Sequence, residues 1–249
     1  GGVPTDWGLF DLPDPKTQGL MTLEGIDMIL KLWAAEAPFD FRGDYWRIRI
    51  DDPVPELGIG QLLKPYQQPH PPIAMSIVKG ESMAARTAGQ RGYIPISTNL
   101  VPFSTVARQW EVYCEGAEEG GQPPPDRANW RVSRSIFVGD STEEARQHCL
   151  NGSFARSYDY LIKVLTSLNM LPLMKRDPEM PDEAVTPEYC MDELAIVGDV
   201  DECARQLNEL YQVTGGFGTL LMIAQDWDDK SKWRQSVERL AKEVVPQLP

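Results

Sequence analysis

Short apolar runs alternate with helical patterns along the chain after residue 72. The runs follow proline, glycine or polar residues, as buried strands of a parallel sheet do. The strands predicted in this way are 72–77, 93–97, 131–138 and 219–223. Apolar residues at helical spacing predict helices over 83–90, 104–116, 143–150, 158–168, 199–211 and 230–245. This alternation predicts an α/β fold with helices packed outside a parallel sheet.

The first 72 residues follow a different pattern. Residues 1–18 are rich in glycine, proline and aspartate and predict a loop, whereas residues 21–33 show helical spacing. Residues 39–50 alternate aromatic or apolar side chains with polar ones around a glycine-containing turn, which predicts a hairpin. Residues 51–72 hold many prolines and no period, and they predict a long surface loop.

Composition and charge narrow the possible functions. The net charge is -13, so the chain lacks the basic excess that nucleic acid or an anionic membrane surface requires. No stretch approaches the roughly 20 apolar residues of a membrane span, and no signal peptide is visible. The four cysteines and two histidines do not stand at metal-binding spacing. We expect a cytoplasmic protein without a metal site.

Candidate chemistry lies where the predicted parallel strands end, because ligands of such sheets bind at the carboxyl ends of the strands. Three segments come to that edge: 75–82, 97–103 and 226–229. The first is the most informative, since Gly80 allows close backbone approach and Ser82 offers a hydroxyl at a predicted helix start.

Two interpretations of this segment stay open. The free N–H groups of the helix start could bind the phosphate of a nucleotide-like cofactor, with Lys79 nearby. Alternatively, Ser82 is an ordinary helix cap and Lys79 a solvated surface residue. A phosphate here also requires that Glu81 point away from it, because two negative charges side by side repel each other.

Other motifs predict less. The glycine-rich segment 213–218 precedes a strand, so a helix stop is favoured over a dinucleotide motif. The acidic segment 226–229 is more typical of a solvated loop than of a metal site. An aromatic cluster in the hairpin is either a substrate wall or cross-strand packing, and it comprises Phe39, Phe41, Tyr45 and Trp46. No nucleophile–histidine pattern is present, so the catalytic residues stay unassigned.

Several stretches, taken in order, resemble the luciferase-like monooxygenases. The opening GGVPTDWGLFDL is similar to the family's loop after barrel strand four, and MTLEGIDMILKLW to its next helix. The segment APFDFRGDYWRIRI resembles its hairpin, and LKPYQQPHPPIAMS resembles the lead into strand five. Further similarity covers GESMAARTAGQRGYIPIS, NWRVSRSIFVGDSTEEAR, VGDVDECARQLNELYQVTGGFGTLL and RQSVERLAKEVVPQL. The limonene 1,2-monooxygenase subgroup is the most similar.

The resemblance implies a TIM (β/α)8 barrel of which residues 1–249 form a single domain, the C-terminal portion. It implies reduced FMN (FMNH2) delivered by a separate flavin reductase, with O2 and a small apolar, terpene-like or long-chain substrate. A homodimer is implied for the complete enzyme. The cofactor-binding positions that match are Gly2 and Val3 near the ring edge, Met75 and Ser76 beneath the flavin, and Gly80, Glu81 and Ser82 at the phosphate.

Two departures from the family leave alternatives open. The loop 78–82 differs from the family's Ser-Pro-containing loop, so phosphate contacts are expected from backbone groups and Ser82. The first barrel strands have no match, so the barrel is expected to be incomplete and this portion alone inactive. The alternatives are a reductase or dehydrogenase that uses the deazaflavin F420 on the same fold, or a non-catalytic remnant.

Overall fold

The computed structural model describes residues 4–12, 14–224 and 228–249. The strands are β1 (Phe39–Arg42), β2 (Arg47–Ile50), β3 (Ala74–Ile77), β4 (Ile94–Ser97), β5 (Arg131–Val138), β6 (Ile196–Gly198) and β7 (Thr219–Ile223). The helices are α1 (Pro4–Leu9), α2 (Pro15–Ala34), α3 (Met83–Arg91), α4 (Phe103–Glu119), α5 (Thr142–Asn151), α6 (Ser153–Ser167), α7 (Pro187–Glu193), α8 (Val200–Thr214) and α9 (Lys230–Arg239). Contacts divide the chain into two units, Gly1–Pro72 and Ile73–Pro249.

The first unit contains α1, α2 and the hairpin of β1 and β2. The hairpin is antiparallel, with Phe39 opposite Ile50, as the alternating pattern predicted. The Glu24 carboxylate of α2 accepts hydrogen bonds from three successive backbone N–H groups of the hairpin turn, the last from Trp46 at 2.7 Å. A side chain from a distant helix therefore reinforces a turn that is also closed locally, by Gly43 N donating to the Trp46 carbonyl oxygen at 2.8 Å.

The prediction of a loop over residues 1–18 is wrong, because α1 and the start of α2 occupy much of it. Helix α2 begins at Pro15, where Asp14 caps the backbone N–H groups of Lys16 and Thr17. A proline in the first helical turn after an aspartate is a helix-start signal, which the glycine and proline content of the segment concealed.

The second unit is built on a parallel sheet. Strand β5 pairs in parallel with β4, β6 and β7, and β3 pairs in parallel with β4. The first half of β5 is in register with β7, and its last three residues pair with β6. Within the described ranges β3 and β7 each have one partner, so these strands form an open sheet. The α/β class with a parallel sheet is confirmed.

The helices cover the sheet as the pattern predicted. Helices α3 and α4 cross so closely that a Cβ on Gly89 would overlap the Tyr113 carbonyl oxygen and approach Ala117 N. Near the end of β5, α5, α6 and α7 pack around Phe137 in an apolar core with buried Tyr158 and Cys190. None of the described helices combines the length and the apolar character needed to cross a bilayer.

Some boundaries differ from the predictions. Helix α4 starts at Phe103 and extends to Glu119, three residues beyond the predicted end. The segment 172–187 is irregular as predicted, apart from two short 3₁₀ turns, and α7 follows it. Residues 51–73 contain only one short 3₁₀ turn and an isolated bridge, in agreement with the surface-loop prediction.

Candidate functional site

The loop between β3 and α3 ends at a serine-capped helix start. Ser82 is the N-cap of α3, and its Oγ accepts from Ala84 N at 3.1 Å and Ala85 N at 3.4 Å. Because those donors bond to the oxygen lone pairs, the Ser82 hydroxyl proton stays available to a ligand. The helix dipole adds partial positive charge at this end. Ser82 thus caps the helix and still keeps a hydroxyl donor for an anion. The helix-cap interpretation and the phosphate-site interpretation of the loop are therefore compatible with each other.

Gly80 leaves space at the same loop. A Cβ at this position would lie 3.4 Å from Arg108 Cγ and 3.6 Å from Thr105 Cγ2, which is ordinary van der Waals contact. The backbone conformation does not require glycine here, since only glycines with positive φ are strained by a side chain. Glycine at this position therefore keeps the approach to the start of α3 open.

The Glu81 side chain is directed to α4. Its Oε1 accepts from Arg108 Nε at 2.6 Å, and this ion pair is the largest cause that lowers the pKa of Glu81. Arg108 also bonds Glu111 and Glu115 on its own helix. The carboxylate is thus engaged by a guanidinium, which meets the condition for an anion at Gly80 and Ser82.

Met75 and Ser76 lie on opposite faces of β3. The burial alternates along the strand, with Met75 half-buried, Ser76 exposed and Ile77 fully buried. Successive side chains of a strand point to opposite sides, so a ligand on one face of the sheet contacts one of these two side chains. Gly2 and Val3 lie outside the described residues.

The end of β4 carries a hydrogen-bonded polar group that connects it to β5. Asn99 Nδ2 donates to Ser135 Oγ at 2.8 Å, and Ser133 Oγ donates to the Ser97 carbonyl oxygen at 2.6 Å. The indole of Trp130 donates to Ser97 Oγ at 2.9 Å. These buried bonds join the two strands just where the carboxyl edge begins, and they brace the segment 97–103.

Arg134, in the middle of β5, is a fully buried charge. Its guanidinium lies 5.0 Å from the centre of the Phe103 ring and donates to the Thr98 carbonyl oxygen at 3.2 Å. Burial lowers the pKa of Arg134 to about 10. Arg134 was not among the predicted site residues, although an arginine within an otherwise apolar and serine-containing strand indicates a candidate functional position.

The remaining candidate segments are explained by packing. In the hairpin the rings of Phe39 and Phe41 stack at 4.8 Å, and the Trp46 indole donates to the Met21 carbonyl oxygen at 2.9 Å. Gly215 ends α8 in the left-handed conformation, as predicted for a helix stop. Asp229 caps α9, while Gln225, Asp226 and Trp227 lie outside the described residues. The described residues contain no cluster of potential metal ligands.

Comparison with known proteins identifies a family whose sequence profile this chain matches. The sequence profile of the luciferase-like monooxygenases matches residues 3–216. The 3,6-diketocamphane 1,6-monooxygenase of Pseudomonas putida is 31% identical over 92% of this chain and 61% of its own length. Limonene 1,2-monooxygenase of Rhodococcus erythropolis is 28% identical over 60% of this chain and 36% of its own length.

A solved structure agrees with these relatives. The oxygenating constituent of 3,6-diketocamphane monooxygenase from the Pseudomonas putida CAM plasmid, a type II Baeyer-Villiger monooxygenase in complex with FMN, superposes with a TM-score of 0.85. The identity is 29%, and the alignment covers 100% of this chain and 69% of that one. This chain spans 61% of the first curated relative.

Proposed function

The chain belongs to the luciferase-like monooxygenase family, and on that premise we propose that it is the C-terminal portion of an FMN-dependent monooxygenase. The enzyme would use reduced FMN and O2 on a small apolar substrate. The observation that carries this proposal is the β3–α3 loop, where Gly80 and Ser82 present an open, hydroxyl-lined helix start. The solved relative in complex with FMN has the same fold over this chain.

The loop fits the phosphate of FMN. It combines a donor hydroxyl at Ser82, a helix N-terminus and open space at Gly80, and the nearest carboxylate, Glu81, is bound by Arg108. Such a site attracts a dianionic phosphate without a lysine or arginine ligand of its own. Of the two side chains on β3, Met75 would pack beneath the ring if the flavin lies on the half-buried face, and Ser76 if it lies on the other.

When bound, reduced FMN would supply the electrons that activate O2, so that one oxygen atom enters the substrate. The protein groups bind the phosphate, orient the ring and exclude water from it. We propose Gly2 and Val3 as further cofactor contacts near the ring edge. The bonds between β4 and β5 keep the segment 97–103 rigid at the same edge.

The proposal also covers the substrate class and the partners. Their names specify diketocamphane and limonene as substrates, which are small and apolar, and we propose a substrate of that class. Residues 1–249 would act as one barrel domain within a homodimeric cytoplasmic enzyme, and a separate reductase would deliver the reduced flavin. An anionic protein of net charge -13 would gain from a partner that carries the flavin directly to it.

The test compares FMN with riboflavin, which lacks only the phosphate. Fluorescence titrations of the complete enzyme that contains residues 1–249, with oxidised flavin in air and reduced flavin without oxygen, should show FMN binding at least about tenfold more tightly than riboflavin, or roughly 1.4 kcal/mol. Equal affinities for FMN and riboflavin would contradict the proposed phosphate site. Binding of F420 in place of FMN would favour the deazaflavin enzyme, and failure to bind either cofactor would leave the non-catalytic reading.

A further inference from the structure

Two neighbouring side chains carry buried polar atoms without a hydrogen-bond partner in the described part of the chain. They are Nε and Nη2 of Arg134 on β5 and Oγ1 of Thr98 after β4. Arg134 is 0% exposed, and its Nη1 donates to the Thr98 carbonyl oxygen at 3.2 Å. Buried polar groups in native proteins are nearly always satisfied by protein, water or ligand, because an unpaired one is costly to bury. The unpaired donors of Arg134 and Thr98 therefore mark a candidate binding position.

The unsatisfied donors of Arg134 form one edge of its guanidinium. Nη1 is engaged, since it donates to the carbonyl oxygens of Thr98 at 3.2 Å and of Ser133 at 3.0 Å. Nε and Nη2 carry parallel N–H groups on the opposite edge, and this fork binds two oxygens of one planar anion. The engaged edge fixes the orientation of the fork.

The charge of this site is not balanced by a carboxylate of the described residues. Arg134 has hydrogen bonds to carbonyl oxygens and a cation–π contact with Phe103, but no acidic partner. At neutral pH it remains protonated, because burial lowers its pKa only to about 10. A single negative charge would neutralise it, whereas a dianion would leave an excess charge in a buried position.

One hydroxyl nearby adds to the donor set. The Thr98 carbonyl oxygen accepts from Arg134 at 3.2 Å, and the buried Oγ1 of the same residue has no hydrogen-bond partner among the described residues. Thr98 can therefore donate to an oxygen of a ligand at the Arg134 fork.

We propose that Arg134 and Thr98 form a binding site for the carboxylate of a small organic acid. The ligand is a planar monoanion that takes two bonds from the fork and a further bond from the Thr98 hydroxyl. The Phe103 ring, which covers the guanidinium, also lines an external cleft of about 430 Å³ between α4, α7 and α8. The proposal does not depend on the flavin.

The first test measures thermal unfolding in sodium acetate at constant ionic strength, balanced with chloride. Replacing Arg134 with methionine keeps an extended apolar side chain and removes the fork, and Arg131→Met on the same strand is the matched control. Without acetate, Arg134→Met should unfold at the same temperature as the wild type or higher, because an unpaired buried charge is removed. Acetate should raise the midpoint of the wild type and of Arg131→Met with the logarithm of its concentration, and leave Arg134→Met unchanged.

Equal acetate dependence in all three proteins would show binding elsewhere and overturn the proposal. A parallel series in sodium phosphate distinguishes the oxyanions, since a response to phosphate equal to that to acetate would contradict a carboxylate site.

The second test needs no variant, so it holds even where Arg134→Met does not fold. Acetate should shift the Nε–H resonance of Arg134 in the nitrogen–proton NMR spectrum of the wild type and slow its exchange with water. An unshifted resonance at saturating acetate would refute the site. The resonance could instead have, without acetate, the chemical shift of an arginine bound to a carboxylate. In that case a carboxylate of the protein occupies the fork, and the ligand site is refuted.

Discussion

Glu81 and Arg108 form an ion pair across the α3–α4 interface, with Oε1 and Nε 2.6 Å apart. The pair keeps a carboxylate of the β3–α3 loop turned toward α4. Arg108 lies directly beside Gly80, so the same side chain forms a wall of the open space in the loop. The phosphate binding proposed for this loop would therefore depend on a side chain of the neighbouring helix.

Arg108→Met should weaken FMN binding several-fold, because the released Glu81 carboxylate repels the phosphate. Riboflavin binding should not change. Arg86→Met is the matched control, since Arg86 bridges α3 to Glu115 and Glu119 and acts on Glu81 only through its charge, without a hydrogen bond. The measurement is flavin fluorescence titration at low and high salt, where screening should reduce the effect. An equal loss in both variants would attribute the effect to helix packing.

Ser82→Ala together with Gly80→Val should weaken FMN binding by about tenfold or more, equivalent to roughly 1.4 kcal/mol. The first change removes a donor, and the second fills the space beside Arg108 and Thr105 with additional methyl groups. Gly80→Ala and Ser82→Thr are the conservative controls and should retain most of the affinity. If FMN affinity in the double variant equals that of the wild type, the phosphate lies elsewhere.

Gly89→Ala should destabilise the protein by at least about 1–3 kcal/mol, because overpacking forces the helices apart. The added Cβ would overlap backbone atoms of Tyr113 and Ala117 on α4, which cannot rotate away. Gly19→Ala in α2 is the control: nothing lies within 4 Å of its Cβ, and helix propensity favours alanine by up to about 1 kcal/mol. Urea unfolding compares the two, and a neutral Gly89→Ala would contradict the tight helix crossing.

Asp199→Ala should lower the free energy of unfolding by about 1 kcal/mol at pH 7, because the Asp199 side chain caps α8 by accepting from Glu202 N at 3.0 Å. This hydrogen bond is the main cause that lowers the pKa of Asp199. A lowered folded pKa contributes stability above the unfolded value of about 3.9, and that stability is lost as the pH falls through the folded pKa.

The difference between wild type and Asp199→Ala in urea unfolding should therefore shrink from pH 7 to pH 3. Asp199→Asn keeps a capping oxygen and should show stability close to the wild type at pH 7, with less change on acidification. A difference between wild type and Asp199→Ala that stays constant over this range would rule out the ionised cap.

The local elements followed from the sequence because their causes are local. The strand predicted over 131–138 coincides with β5, and Ser141 and Ser82 cap the helices they precede. The loop 80–82 is a candidate site readable from the sequence, since its parts are adjacent in the chain. The start of α2 was missed only because the Asp14–Pro15 signal lay inside a segment of loop-like composition.

Relationships between distant residues were decided by the tertiary structure. The order of motifs along the chain was sufficient to indicate the family, but it could not show that Glu81 pairs with Arg108, 27 residues away. Nor could it show that Arg134 is fully buried against the Thr98 carbonyl oxygen with one edge of its guanidinium unpaired. Strand and helix periodicity specifies which face of an element is apolar, whereas the partner of a buried charge depends on which elements pack together.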